Sequence, residues 1–126
     1  MNVATWLAFA LGAGIGAPLR FLVDGAVEYG NGIVRHRGTL AVNAAGSLLL
    51  GVITALTLRD QVPTDVDTII GVGFCGALTT FSTFAVQTVR LIEAGEIEHA
   101  VKNVALNTLV AIGLAAVGYA VVLAAT

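Results

Sequence analysis

Between residues 71 and 84 the chain reads GVGFCGALTTFSTF, where glycines, hydroxyls and two phenylalanines interrupt an apolar run. Gly71, Gly73 and Gly76 weaken a helix, and the Thr79 and Thr80 hydroxyls can replace backbone hydrogen bonds that are lost. Unwinding at this point exposes carbonyls at the end of one half-helix and amides at the start of the next. Carbonyl oxygens are hard ligands suited to a small cation such as Na⁺. The amide end carries partial positive charge and draws anions. Phe81 and Phe84, three residues apart, share a helix face, and aromatic rings have positive edges. With the Ser82 and Thr83 hydroxyls and the Asn43 amide they form an electropositive but uncharged lining. Such a lining takes a small anion out of water without holding it too tightly to leave. The plainer reading of the two rings is core or lipid-facing bulk.

The elements that position these residues are set by hydropathy. The 126 residues are 57% hydrophobic and 11% charged, with a mean hydropathy of +0.92. Soluble domains carry about 25% charged residues. Four stretches, at about 3–23, 39–58, 68–89 and 103–125, are uncharged except for Arg20. Each has about the 20 residues that cross a hydrocarbon core as helix. The expectation is an all-α integral membrane protein, a single four-helix transmembrane domain over residues 1–126. Irregular backbone at bilayer depth survives only where it is buried in protein or lines a cavity, so 71–84 predicts a third helix broken near mid-membrane. No Lys or Arg precedes Trp6, so the first stretch reads as a retained helix and not a signal peptide.

Other residues refine this picture. Gly12-x-x-x-Gly16 permits close helix approach. Arg20 either snorkels to the interface or attracts anions. Thr39, Asn43 and Ser47 follow at i, i+4 and i+8 on one face of the second helix, as interhelical glue or as a polar lining. Thr64 or Asp65 can cap the third helix. In the fourth, Asn107 is the deeper amide and Asn103 reads as interfacial. Cys75 has no partner for a disulfide. His36 and His99 read as loop residues without metal-ligand spacing. Connections one and three hold Arg35, Arg37, Arg90 and Lys102, against Arg59 in the second, which favours the odd connections in the cytoplasm.

The motifs GTLAVNAAGSLLLG at 38–51 and GFCGALTTFSTF at 73–84 resemble the two signatures of the Fluc family of fluoride channels. Gly16-Ala-x-x-Arg20 resembles its first-helix signature, and the likeness covers all four helices. It implies an antiparallel dual-topology dimer with two fluoride pores, and a structural, untransported Na⁺ at the dimer centre. Matched residue by residue, the pore side chains are Phe81, Phe84 and Asn43, with Ser82, Thr83 and Thr39 as the hydroxyl track. Arg20 matches the vestibule arginine, Asn107 is the counterpart of a polar residue in helix four, and the Na⁺ carbonyls correspond to Gly76 and Thr79. The loop charge bias departs from an evenly inserted homodimer and raises the alternative of an oppositely oriented paralogue as partner.

The implied function is passive export of fluoride across the cell membrane, by a multi-pass protein that binds no nucleic acid. A small four-helix drug or cation exporter is the competing reading, but it needs an intramembrane carboxylate, and the four stretches have none. An enzyme would need a general base or a metal, and the stretches contain no His, Asp, Glu or Lys.

Overall fold

The computed structural model describes residues 2–30 and 37–125, so Arg35, His36 and Thr126 lie outside the described residues. Helix α1 (Val3–Gly30) starts where Asn2 Oδ1 accepts the Thr5 amide at 2.9 Å, satisfying one unpaired N–H of the first turn. Helix α2 (Arg37–Leu58) closes through Asp60 at φ 54°, with Gln61 N–H donating to the Leu56 carbonyl. The next segment, α3 (residues 64–78), opens with an α-turn, Thr64–Val66. It then widens into a π-helix over Asp67–Cys75 and finishes in another short turn, Gly76–Leu78. Thr79 (φ −77°, ψ 157°) and Thr80 (φ −149°, ψ 119°) are extended. Helix α4 (Phe81–Glu93) and helix α5 (Ile97–Ala125) complete the described chain, joined at Gly95 with φ 77°.

Four helical stretches, Val3–Ala26, Arg37–Leu58, Thr64–Glu93 and Ile97–Ala125, are long and apolar enough to cross a membrane. They run past the uncharged stretches of the sequence, so their ends carry Asp24, Arg37, Asp65, Asp67, Arg90, Glu93, Glu98 and Lys102. Pro63, not Thr64 or Asp65, occupies the cap of α3, and no side chain caps it. The Asp65 carboxylate instead accepts the hydroxyl of Thr5 at 3.1 Å, tying the start of α3 to α1.

Two seams hold the bundle. In the first, Gly12 and Gly16 of α1 face α3: a Cβ on Gly12 would lie 2.8 Å from the Ile69 carbonyl oxygen, and one on Gly16 2.5 Å from that of Phe74. In the second, Gly51 of α2 meets the Ala115 backbone, and Gly118 of α5 meets the backbone of Leu48 and Val52. Backbone-to-backbone approach of this kind is how helices associate where lipid removes the hydrophobic drive. The outward faces are apolar: Trp6, Leu11, Phe21, Leu109 and Ile112 are all more than half exposed. Only 6% of the apolar window of α1 and 11% of that of α5 is buried within the chain. Surface this apolar is suited to lipid or to another protein, not to water.

Candidate functional site

The two extended residues between α3 and α4 release backbone groups that α-helix would have paired, and side chains from other helices take them up. The Thr80 N–H donates to Asn43 Oδ1 at 2.8 Å, and Asn43 Nδ2 returns a bond to the Thr80 carbonyl at 3.2 Å. From α1, Arg20 Nη1 donates to the Thr79 carbonyl at 3.3 Å. Arg20 thus points into the bundle instead of snorkelling away from it. The Thr79 amide and hydroxyl both donate to the Cys75 carbonyl, each at 2.9 Å. Because Thr80 spends its N–H on Asn43, the Gly76 carbonyl loses its ordinary i+4 donor.

Thr80 also organises the first turn of α4. Its Oγ1 accepts the Thr83 amide at 3.2 Å, capping the helix, and donates to Thr83 Oγ1 at 3.0 Å. Ser82 Oγ lies 3.2 Å away on the same oxygen. The three hydroxyls are therefore linked through a residue, Thr80, that sequence reasoning used only as a backbone substitute. Its signal was available as a Thr immediately before a helical stretch. Phe81 and Phe84 project from the same turn with ring centroids 5.5 Å apart at 61°, an edge-to-face pair. Phe81 is 79% exposed in the single chain.

Thr39, 1% exposed, sits apart from this cluster and accepts Gln87 Nε2 at 2.9 Å. No local spacing signals Gln87, because its partner lies on another helix. Asn107 does reach the centre, accepting Asn43 Nδ2 on its Oδ1 at 3.2 Å. Asn103, expected at the interface, is packed between helices: it is 6% exposed and bonded to Thr88 and Asn107.

A groove of about 620 Å³ runs between α2, α3 and α5. Asn43, Ser47, Gly76, Thr79, Thr80 and Asn107 give it a polar wall, Phe81 and Phe84 close one side, and Leu50 and Ile112 are apolar. Among the described residues no charged side chain lines it. Ser82, Thr83 and Thr39 lie outside this lining, as does Arg20, which touches it only through the Thr79 carbonyl. Among the described residues no three His, Cys, Asp or Glu side chains come together. The oxygens the groove offers a cation are neutral: backbone carbonyls, hydroxyls and side-chain amides. Such a surface can solvate a small ion by weak neutral dipoles.

Membrane-length helices around a neutral polar groove define a multi-pass membrane protein whose polar chemistry sits among its spans. Residues 7–119 match the family described as CrcB-like protein, Camphor Resistance (CrcB), and the chain belongs to that family. It is 42% identical over 120 residues to a protein of Frankia casuarinae named fluoride-specific ion channel FluC 1, covering 91% of this chain and 93% of that one. Proteins named fluoride-specific ion channel FluC from Methanocaldococcus jannaschii and Shewanella halifaxensis are 41% and 45% identical, over 82% of this chain in each case and 82% and 83% of theirs. Its four membrane-length helices and its relatives named ion channels make the chain a multi-pass protein of the plasma membrane.

Proposed function

We propose that this chain is a fluoride-selective ion channel that works passively, without a catalytic step, and lets fluoride leave the cytoplasm. The observation that carries the reading is the uncharged groove beside the Phe81–Phe84 pair, in a chain whose relatives are named fluoride channels. A fluoride ion gives up strongly held water, so the wall must offer compensating dipoles. A fixed positive charge in the wall would bind the ion and slow its departure. The neutral hydroxyls and ring edges around Thr80 suit both demands. Hydrogen fluoride enters acidified cells and dissociates inside, so a passive path suffices for outward flow.

In this reading 126 residues form one transmembrane unit, and its third span is broken near the mid-plane at Thr79 and Thr80. The extended dihedrals there support it. Two such chains lie antiparallel, either identical or as a pair of paralogues. The exposed Phe81 ring and a groove open along one side favour a second chain closing it. A structural Na⁺ would be held by the Gly76 and Thr79 carbonyls. Both are hard oxygens. That of Gly76 has lost its i+4 donor and fits a cation, while that of Thr79 also accepts Arg20 and has one lone pair left to offer. Hard cations take more than two oxygens, so a second chain must add its own pair. Bound there, the ion would neutralise converging carbonyl dipoles. The pore side chains are Phe81, Phe84, Asn43, Ser82, Thr83, Thr39 and Asn107, with Arg20 at the vestibule.

Fluoride efflux from liposomes holding purified protein, followed with a fluoride electrode beside a chloride control, tests the function. Rapid fluoride release with negligible chloride release is expected. Equal fluxes, or none from folded protein, overturn the selective channel, and efflux that requires a proton gradient would favour the exporter. A reporter fused after Thr126 should appear on both sides of the membrane if two identical chains pair antiparallel. One side only would point to the paralogue.

A further inference from the structure

The Asn43 amide has a fixed direction, and tracing it outward leads to a residue beyond the groove. A backbone N–H can only donate, so Asn43 must turn Oδ1 toward Thr80 (2.8 Å). Both Nδ2 hydrogens then go to acceptors, the Thr80 carbonyl and Asn107 Oδ1, each at 3.2 Å. Asn107 must accordingly present Nδ2 to Asn103, where it meets Oδ1 at 3.0 Å and the backbone carbonyl at 3.2 Å. Asn103 in turn gives Nδ2 to Thr88 Oγ1 at 2.9 Å, and the Thr88 hydroxyl donates to the Phe84 carbonyl at 2.9 Å. Reversing any one amide alone sets donor against donor or acceptor against acceptor. Neither Asn43 nor Asn107 keeps an N–H for a ligand.

We propose that Asn103, 6% exposed and outside the groove lining, is a positioning residue for the ion path. Through Asn107 it fixes the Asn43 amide, and through Asn43 the Thr80 peptide, whose hydroxyl caps the helix bearing both phenylalanines. Asn43, a pore side chain in the fluoride-channel reading, then also serves the path as a holder of backbone. The effect on flux rests on the fluoride-channel reading; the effect on the Thr80 peptide does not.

The test combines NMR hydrogen exchange in the isotope-labelled, full-length protein with fluoride efflux from liposomes. Asn103→Leu is expected to speed exchange of the Thr80 amide about tenfold, the equivalent of one net hydrogen bond. The Ile53 amide, in the α2–α5 region but off the ladder, should not change. Fluoride flux should fall by about the same factor. In an Asn43→Ala background, Asn103→Leu should speed Thr80 exchange no further, because Asn103 reaches the Thr80 peptide only through Asn43, whereas its Thr88 bond leads to Phe84. Exchange effects on Thr80 that multiply in the double variant, or a Thr80 amide unmoved by Asn103→Leu, overturn the proposal. If Asn43→Ala does not fold, the Thr80 exchange rate in Asn103→Leu decides alone. Wild-type protein without fluoride flux defeats the channel reading, while Thr80 exchange still judges the ladder.

Discussion

Substituting Gly51 with Ala should weaken both the bundle and its groove, although residue 51 does not line that groove. A Cβ at Gly51 would fall 3.0 Å from Ala115 Cα and closer still to the Ala115 carbonyl oxygen. Backbone atoms cannot swing aside as a flexible side chain can. To reach ordinary contact, α2 and α5 must part by roughly 1 Å, an overpacking distortion of about 1–3 kcal/mol. Alanine regains about 1 kcal/mol of helix propensity over glycine. The net loss is therefore up to about 2 kcal/mol. The same seam carries the Asn43–Asn107 bond, already 3.2 Å long. Opening by that amount takes it beyond hydrogen-bonding reach, so fluoride flux should fall as well. Gly113→Ala, on α5, is the control, since a Cβ there meets nothing within 4 Å. Thermal unfolding in detergent, paired with liposome efflux, measures both effects. If Gly51→Ala proves as stable and as active as Gly113→Ala, the backbone contact does not hold the groove in shape.

Other contacts give further expected outcomes. Phe81→Ile or Phe84→Ile should nearly abolish fluoride efflux while leaving the size-exclusion profile unchanged, and unaltered efflux would return the rings to simple bulk. Asp67 Oδ1 is buried without a hydrogen-bond partner. Removing that charge with Asp67→Asn should raise stability by about 1 kcal/mol, and a lower melting temperature would contradict it. Arg20→Ala should destabilise by about 1–3 kcal/mol through loss of a charged donor to the Thr79 carbonyl. Unfolding unaffected by the change would mean that the guanidinium is held there for nothing.

The four spans are legible because a bilayer imposes a length and a hydropathy that few soluble sequences satisfy. Gly12 and Gly16 were legible for a related reason: a small residue every fourth position marks a backbone seam. The hydroxyl pair at 79 and 80, which the structure shows extended, was marked in the sequence as a weak point of the helix. Its supports were not. The i, i+4 stripe of Thr39, Asn43 and Ser47 fixes a shared face, but not the partner each member finds. Thr39 goes to Gln87, Asn43 to Thr80 and Asn107, and Ser47 to the groove. Partners on other helices are set by tertiary packing, which no local spacing encodes. The cap of α3 was misplaced because Asp65 found a stronger use in the Thr5 hydroxyl. The partners of Asn103 were not legible, because depth along the chain says little about burial across the bundle.

The wide winding of Asp67–Cys75 also bears on how this chain tolerates change in length. Bonds closed from i to i+5 store surplus residues relative to an α-helix of the same rise. A one-residue deletion within 67–75 can be absorbed by tightening to α-geometry, with both ends left close to where they stand. The same deletion in α2 or α5 has no such reserve. It would rotate everything beyond it by about 100°, carrying Asn43 or Asn107 off the shared face. Single-residue deletions should therefore be tolerated in the first half of the third span and be purged from the helices that carry the asparagines.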